Sequence, residues 1–302
     1  MAFVLGSIEQ RRLGTVSQIC FEAYADIEDR FRLLARNEGP SGNFRVFKNS
    51  EVARELLEIL LKTEWAYGVI AFIDEEPVGC GFLCLKESIA SVGPLFVAPR
   101  YQGRGVGRAL LGHLIEYADL KQLKSVRLIQ DACALGALAL ATSLGFEVKA
   151  QLMSMRQHGG SPNIRKIRRF TESDVTRLEA LAKRVCPDER LLPTLGLALN
   201  RPSFFECDPL IHEQDGRISG YLIPGTLGHG MAESSDIAIT LVNHAVWQYP
   251  FTDTRFMCFM TNSDLYRRIQ NLNSEPIRPF VLMVRGHFEP IRGNWLPPLF
   301  CS

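Results

Sequence analysis

Hydrophobic and polar positions alternate along this chain with a period that changes from helical to extended and back. Between Thr15 and Phe31 the apolar residues recur every three or four positions, which predicts an amphipathic helix. Ser50, followed by a periodic run to Leu61, predicts a second helix with its own cap. Largely apolar runs then predict three strands, at Tyr67–Ile73, Val78–Leu85 and Ile89–Val97.

The rest of the first half alternates helices with strands. The pattern predicts a helix from about Gly105 to Lys121, a strand at Ser125–Gln130, a helix at Leu135–Ser143 and a strand at Phe146–Met155. The predicted order is therefore α-α-β-β-β-α-β-α-β. The second half repeats this order more faintly, which indicates a duplication of one mixed fold.

A stretch rich in Gly, Ser and Pro at positions 157–163 separates the two halves. Such composition between apolar segments is typical of a linker. A chain of 302 residues is also long enough for two domains. We therefore predict an α/β (α+β) protein with one domain at residues 1–156, the linker at 157–163 and a second domain at 164–302.

Composition excludes several classes of protein. Hydrophobic residues make up 46% of the chain and charged residues 22%, which is typical of folded domains. The net charge of +1 argues against a protein that grips nucleic acid by bulk charge. Neither a membrane-length apolar run nor a signal-peptide pattern is present, and the eight cysteines form no C-x-x-C pair. We expect a cytoplasmic protein that binds neither membranes nor nucleic acid.

The segment from Val97 to Leu111 is the most informative part of the chain. A predicted strand ends, a Gly-rich turn follows, and a helix begins, with Arg100, Arg104 and Arg108 close together. Glycines allow several amide groups to converge, and a helix N-terminus adds partial positive charge. The segment therefore predicts a phosphate or pyrophosphate site. The alternative is a Gly-rich turn that carries solvated arginines.

The spacing Gln102-x-x-Gly105-x-Gly107 resembles Q/R-x-x-G-x-G/A, the acetyl-CoA signature of the GNAT (Gcn5-related N-acetyltransferase) superfamily. The run Leu144-Gly145-Phe146 is similar to a second landmark of that family, and the predicted element order agrees with it. The resemblance covers about residues 8–156. The second half resembles the degenerate C-terminal domain of tandem GNAT proteins. Two GNAT-like domains are implied, each a mixed, largely antiparallel central sheet flanked by helices.

The resemblance implies a site for acetyl-CoA as acyl donor, without a metal. The strand that ends at Val97 would separate from its neighbour and pair with the pantetheine arm, and the loop amides would hold the pyrophosphate. An amine would attack the thioester directly in a ternary complex. The implied cofactor-binding residues are Leu95, Phe96, Val97, Gln102, Gly103, Arg104, Gly105, Val106, Gly107 and Arg108.

The catalytic positions depart from the family pattern. The Tyr that usually serves as general acid is replaced by Ala141, and a frequent Asn by Ala134. The central strand contains no acidic residue, so Glu87, just before it, is the first candidate for a base. Cys84 and Cys133 are alternative proton donors, or else buried core thiols.

Acidic residues cluster in the first predicted helix, where the family usually gathers acceptor contacts. Tyr24, Asp26 and Glu28 are our candidates for binding an ammonium acceptor, and a solvated helix face is the alternative. The main hypothesis is an acetyl-CoA-dependent N-acyltransferase that moves an acetyl group to a small-molecule or peptide amine. The alternative is a non-catalytic module that binds acetyl-CoA or a partner. The apolar segment Pro290–Phe300 would pack between the halves or onto the partner chain of a homodimer.

Overall fold

A computed structural model of the chain describes residues 3–35, 47–187, 207–225 and 228–298. The chain divides into two units, one formed by residues 1–147 with Val284–Gly286 and the other by residues 148–283 with 287–300. Within the described residues, no helix combines the length and the apolarity needed to span a membrane.

The described part of the first unit contains a sheet and four α-helices. Its strands are β1 (Val4–Ser7), β2 (Ala66–Ile73), β3 (Glu76–Leu85), β4 (Ile89–Val97) and β5 (Ser125–Asp131). Its helices are α1 (Leu13–Ala35), α2 (Ser50–Lys62), α3 (Val106–Leu120) and α4 (Leu135–Ser143). The sheet order is β1-β2-β3-β4-β5, with antiparallel pairs except for the parallel pair of β4 and β5.

Local sequence explains where these helices begin. Asn49 caps α2, because its side chain accepts a hydrogen bond of 3.1 Å from the amide of Val52. Gly105 caps α3 in the left-handed conformation, with no side-chain cap. The helix faces turned to the sheet carry the apolar residues that the sequence pattern predicts, and Leu56, Leu60, Leu110 and Leu114 are fully buried.

Among its described residues, the second unit contains two groups of strands and three helices. Its strands are β6 (Glu147–Gln157), β7 (Ile167–Arg169), β8 (Leu210–Gln214), β9 (Arg217–Ile223), β10 (His229–Ala232), β11 (Arg255–Phe259), β12 (Ser274–Gly286) and β13 (Asn294–Leu296). Its helices are α5 (Val175–Val185), α6 (Ser235–Gln248) and α7 (Ser263–Gln270). One sheet has the order β13-β10-β9-β8-β7, and β6 lies between β12 and β11.

The predicted fold class is confirmed: both units are mixed α and β, with largely antiparallel sheets flanked by helices. Most predicted elements exist within a few residues of their predicted ends. Three short strands were not predicted, namely β1, β10 and β13. At the start of β10, His229 and Gly230 pair with Ile223 and Leu222 of β9.

The division between the units falls ten residues before the predicted linker. The strand β6 runs without interruption to Gln157, and its residues Leu152–Arg156 pair with all of β11 in the second unit. This pairing groups most of β6 with the second unit. The predicted limits of the functional domains, 1–156 and 164–302, stay a prediction.

Candidate functional site

The strands β4 and β5 of the first unit separate part-way along their length. Their parallel pairing covers Ile89–Ser91 of β4 and Ser125–Arg127 of β5. Beyond this point β4 continues to Val97, while its register with β3 shifts around Gly93 and Pro94. In the described part of the chain, the two strands pair only as far as Ser91 and Arg127, so an opening lies between them alongside the rest of β4. We call this opening the β4–β5 gap.

The two faces of β4 carry different neighbours. A Cβ atom added at Gly81 would meet both Leu95 and Leu114, so Leu95 lies on the α3 side of the sheet. Phe96 lies on the opposite side, because it is paired with Cys80, whose sulfur is 3.6 Å from Cys20 of α1. Leu95 and Phe96 thus lie on opposite sides of the sheet at this end of β4.

A Gly-rich loop connects the end of β4 to α3. Gly103 has a φ of 74° and Gly105 a φ of 87°, values that side-chain-bearing residues rarely adopt. The first intrahelical bond of α3 runs from the amide of Ala109 to the carbonyl of Gly105, at 3.1 Å. The amides of Val106, Gly107 and Arg108 therefore precede the helical hydrogen-bond ladder and stay available to an anion.

Polar side chains of the loop hold its two ends in place. Gln102 donates a hydrogen bond of 3.1 Å to the carbonyl of Val97, which ties the loop to β4. Arg108 donates a hydrogen bond of 2.7 Å to Ser143 at the end of α4. Arg104 lies over the ring of Tyr101, with 5.5 Å to the centroid. The predicted loop residues thus lie together beside the end of β4, and the hydrogen bond from Gln102 fixes the loop to that strand.

Arg100 does not point to this cluster of amides. Its guanidinium forms an ion pair with Glu76 at the start of β3. Tyr101 donates a hydrogen bond of 2.8 Å to the other oxygen of Glu76, and this bond raises the pKa of the phenol. Of the three arginines, Arg104 and Arg108 are therefore the ones that supply positive charge to the loop.

The candidate catalytic residues lie in different places. Glu87 is exposed in the turn before β4, so the length of that strand, about 26 Å, separates it from the loop. Ala141 is buried in α4, with 1% of its surface exposed. Cys84 is fully buried, whereas Cys133 is half-buried and its amide donates to Asp131 at the end of β5, at 2.8 Å. The structure does not bring Glu87 together with the predicted cofactor loop.

The three acceptor candidates on α1 separate into two groups. Tyr24 and Glu28, one helical turn apart, are buried with exposures of 9% and 5%. Asp26 points away from this face, with 27% of its side chain exposed, and forms an ion pair of 2.8 Å with Arg30. Helical periodicity applied to the sequence contains the signal for this difference, because positions i and i+4 share a face whereas i+2 does not.

In the second unit, the corresponding gap is filled by the chain itself. By element order, β10 and β11 correspond to β4 and β5. The strand β13 pairs with β10, with Trp295 opposite Met231, and the Trp295 ring packs against Phe259 of β11 at a centroid distance of 5.8 Å. Trp295 is 1% exposed. Sequence analysis missed this short strand, although the apolar composition of the segment does predict burial.

A buried polar network fixes Trp295 in this place. Its indole N–H donates to Nε2 of His229 at 3.4 Å, so Nδ1 of that ring carries the proton and donates to the hydroxyl of Tyr221 at 2.8 Å. Asn262 donates a hydrogen bond of 2.6 Å to Asn294 beside it. Within the described residues, no group of three or more His, Cys, Asp or Glu side chains is arranged to hold a metal ion.

Comparison with known proteins identifies the class of the first unit. Residues 28–146 match the family model described as Acetyltransferase (GNAT) family. This part of the chain belongs to the GNAT superfamily. An uncharacterised N-acetyltransferase of Methanocaldococcus jannaschii is 30% identical over 110 residues, which cover 34% of this chain and 49% of that protein. The chain thus spans about half the length of that relative.

Solved structures match the fold of the whole chain. A presumed acetyltransferase from Pyrococcus horikoshii aligns with a TM-score of 0.77 and 17% identity, over 99% of this chain and 96% of that one. A tandem GNAT protein from the clavulanic acid biosynthesis pathway aligns with a TM-score of 0.56 and 13% identity, over 96% and 99%. The chain therefore has the fold of a tandem GNAT protein.

Proposed function

We propose that this protein is an acetyl-CoA-dependent N-acetyltransferase whose reaction takes place in the first unit. The observation that carries the proposal is the juxtaposition of two features at one end of β4. An open strand edge borders the β4–β5 gap, and it leads directly into a Gly-rich loop at the N-terminus of α3. The edge fits an extended amide-bearing chain, and the loop fits a pyrophosphate.

Acetyl-CoA would supply an acetyl group activated as a thioester. The loop amides from Gly103 to Arg108 bind the pyrophosphate, with Arg104 and Arg108 adding charge. The open backbone around Leu95, Phe96 and Val97 binds the pantetheine arm through strand-like hydrogen bonds. The acceptor, a small-molecule or peptide amine, approaches from the α1 side, so that direct attack within a ternary complex needs no covalent enzyme intermediate.

The absence of the family's usual general acid limits how the leaving thiolate can be protonated. In α4 the family's usual Tyr position is the buried Ala141, and the helix sequence LGALALATS contains no group that titrates near neutral pH. Coenzyme A would then leave as a thiolate and be protonated by water, which a thiol of ordinary pKa permits. Glu87 stays the base proposed from sequence, although its position in an exposed turn does not favour it.

The buried alanine at position 141 also favours a second candidate function. A GNAT domain without its acid could bind acetyl-CoA without transferring the acetyl group, as a sensor or a partner-binding module. Under this hypothesis the loop and the gap keep their ligand, and amines have no effect on the thioester. Both candidates fit a cytoplasmic protein, since the seven cysteines in the described part of the chain are free thiols.

Calorimetry with acetyl-CoA, followed in the same samples by measurement of free thiol with pooled amines, separates these functions. Binding with amine-dependent thiol release is the result expected of the enzyme. Binding without release for every amine would support the non-catalytic module. A lack of binding would contradict both proposals, because both place the cofactor on the same loop.

A further inference from the structure

An open cavity of about 380 Å³ lies in the second unit, beside the short strand β13. Its lining comes from the start of β6, the segment that joins β11 to α7, the first turn of α7, and β13 with the segment before it. The volume is in the range of small-molecule sites, about 300–1,000 Å³. The acetyl-CoA site proposed above uses none of these elements, so this cavity needs an explanation of its own.

Aromatic rings form the floor of the cavity. Phe259 at the end of β11 and Trp295 of β13 both line it, and they are held in place because they are almost fully buried against each other. Phe288 adds a half-buried ring, and Leu265 of α7 adds an aliphatic side chain. Aromatic rings attract other flat apolar groups. This part of the cavity therefore suits a small aromatic body.

A buried side-chain amide in the lining has a donor that the protein does not use. Asn294 is 5% exposed, and its Oδ1 accepts a hydrogen bond of 2.6 Å from Asn262. The Oδ1 of Asn262 in turn accepts from the amide of Leu265 at 3.3 Å, which fixes the orientation of both side chains. Within the described residues, Nδ2 of Asn294 has no hydrogen-bond partner. Because buried polar groups are nearly always hydrogen-bonded, this Nδ2 indicates an acceptor within the cavity.

The rim of the cavity carries positive charge. Arg292 and Lys149 line it, and none of the described lining residues is acidic. Of the two carboxylates nearby, Asp264 forms an ion pair of 3.6 Å with Arg268. The other, Glu289, is 4.0 Å from the guanidinium of Arg292, and both of these side chains are exposed. So long an ion pair between exposed groups is weak, so the guanidinium can still bind a ligand carboxylate through two hydrogen bonds.

We propose that this cavity binds a small aromatic carboxylate, with its ring on the aromatic floor and its carboxylate held by Arg292 and by Nδ2 of Asn294. Both groups are donors, and a carboxylate accepts from both at once. An amine on the same aromatic body would bring its positive charge next to Arg292 and Lys149, which repel it. The site gives the second unit a ligand of its own, whether or not the first unit transfers acetyl groups.

The test uses two ligands that share one body. Calorimetry titrates 3-phenylpropionate or 3-phenylpropylamine into the full chain saturated with coenzyme A. We expect one 3-phenylpropionate per chain and no detectable binding of the amine. Arg292→Gln should raise the Kd for 3-phenylpropionate at least tenfold, through the loss of charge-assisted hydrogen bonds. Arg165→Gln is the matched control, since Arg165 is exposed and does not line the cavity, and it should change the Kd less than twofold.

A second variant locates the ligand within the second unit. Thr261 is exposed at the rim of the cavity, so Thr261→Trp can place a large side chain there without disturbing the core, and it should abolish binding. No binding of 3-phenylpropionate at millimolar concentration, equal or tighter binding of the amine, or equal effects of the two arginine substitutions would overturn the proposal. Unchanged binding by Thr261→Trp would overturn it as well. Failure of the wild type to bind coenzyme A would contradict only the proposed function, because the second unit would still be expected to bind 3-phenylpropionate.

Discussion

Replacing Gly105 by Ala tests the cofactor loop with the smallest possible change. The residue has a φ of 87° and a ψ of −8° at the N-cap of α3. An added Cβ would have ample room, since its nearest heavy atom, in the ring of Phe3, is 4.0 Å away. Any effect must therefore come from the backbone and not from a steric clash. A left-handed conformation costs a residue with a Cβ roughly 1–2 kcal/mol.

The expected loss of affinity follows from the amides that this backbone orients. If Gly105→Ala relaxes toward negative φ, the amides next to it turn away from their common point. Loss of one hydrogen bond to a charged group costs about 1.5–3 kcal/mol. We therefore expect the Kd for acetyl-CoA to rise about ten- to hundredfold. Coenzyme A should lose the same factor, because the effect concerns the pyrophosphate and not the acetyl group.

Gly107→Ala is the matched control. Gly107 lies in the first turn of α3 without the positive φ of Gly105, and its added Cβ would be 3.4 Å from Leu140 and 3.8 Å from Val97, both normal contacts. Alanine stabilises a helix by about 0.5–1 kcal/mol relative to glycine. This variant should unfold at a higher denaturant concentration and bind acetyl-CoA within about threefold of the wild type, since the resemblance allows Gly or Ala here.

The assay is calorimetry with both ligands, together with chemical unfolding of each variant. Equal binding by wild type and Gly105→Ala would refute the assignment of the pyrophosphate to this loop. Equal losses of acetyl-CoA affinity in both variants would mean that the added methyl group, and not the left-handed backbone of Gly105, weakens binding. That result would contradict the role assigned to the Gly105 backbone.

Three further predictions concern stability and the loop. Asp174, 1% exposed, accepts two hydrogen bonds of 2.7 Å from Arg168 and one from the Thr171 amide, and these lower its pKa to about 2 from 3.8. Because the pKa of Asp174 is lower in the folded than in the unfolded protein, its ionised form contributes about 2.5 kcal/mol to stability above pH 5, and this contribution is lost as the pH falls toward 2. Asp174→Asn should therefore lower the unfolding free energy at pH 7 by about that amount in denaturant titrations. Trp295→Ala should lower the unfolding free energy of the second unit by about 3–5 kcal/mol, as measured by denaturant titration. Calorimetry of the wild type should give one bound acetyl-CoA per chain, because only the first unit has the Gly-rich loop. Arg108→Ala should weaken acetyl-CoA binding at least fivefold at low salt and less at high salt, whereas Ser143→Ala leaves the affinity unchanged.

Sequence analysis predicted those features that depend on local patterns. The Gly-rich loop was found because glycine spacing and the end of a strand are visible within fifteen residues. The capping box formed by Thr171 and Asp174 is equally local, because its two residues are three positions apart. The periodicity of α1 also contained the information that Glu28 is buried and Asp26 is not. Closeness in sequence alone does not distinguish these two residues.

The features that were missed depend on contacts between distant positions. Strands of three or four residues, such as β13, are too short to show a period. The partners of β13 in β10 lie more than sixty residues earlier in the chain, so no local pattern predicts that Trp295 fills a gap. The separation of β4 from β5 also depends on distant positions, because it depends on where a parallel pairing stops, and it was expected only from the family resemblance.

The two units together explain why one gap is a candidate site and the other is not. In the first unit the helix after β4 begins at Gly105, whose lack of a side chain leaves the first amides of α3 to a ligand. In the second unit the helix after β10 is capped by Ser234, which accepts a hydrogen bond from the amide of Ile237, and Asp236 adds negative charge to its first turn. Such a helix start disfavours an anion. The loss of the anion site and the insertion of β13 affect the same place in the fold. Because each feature disfavours a pyrophosphate-bearing ligand there, we expect acetyl-CoA to bind to the first unit and not to the second.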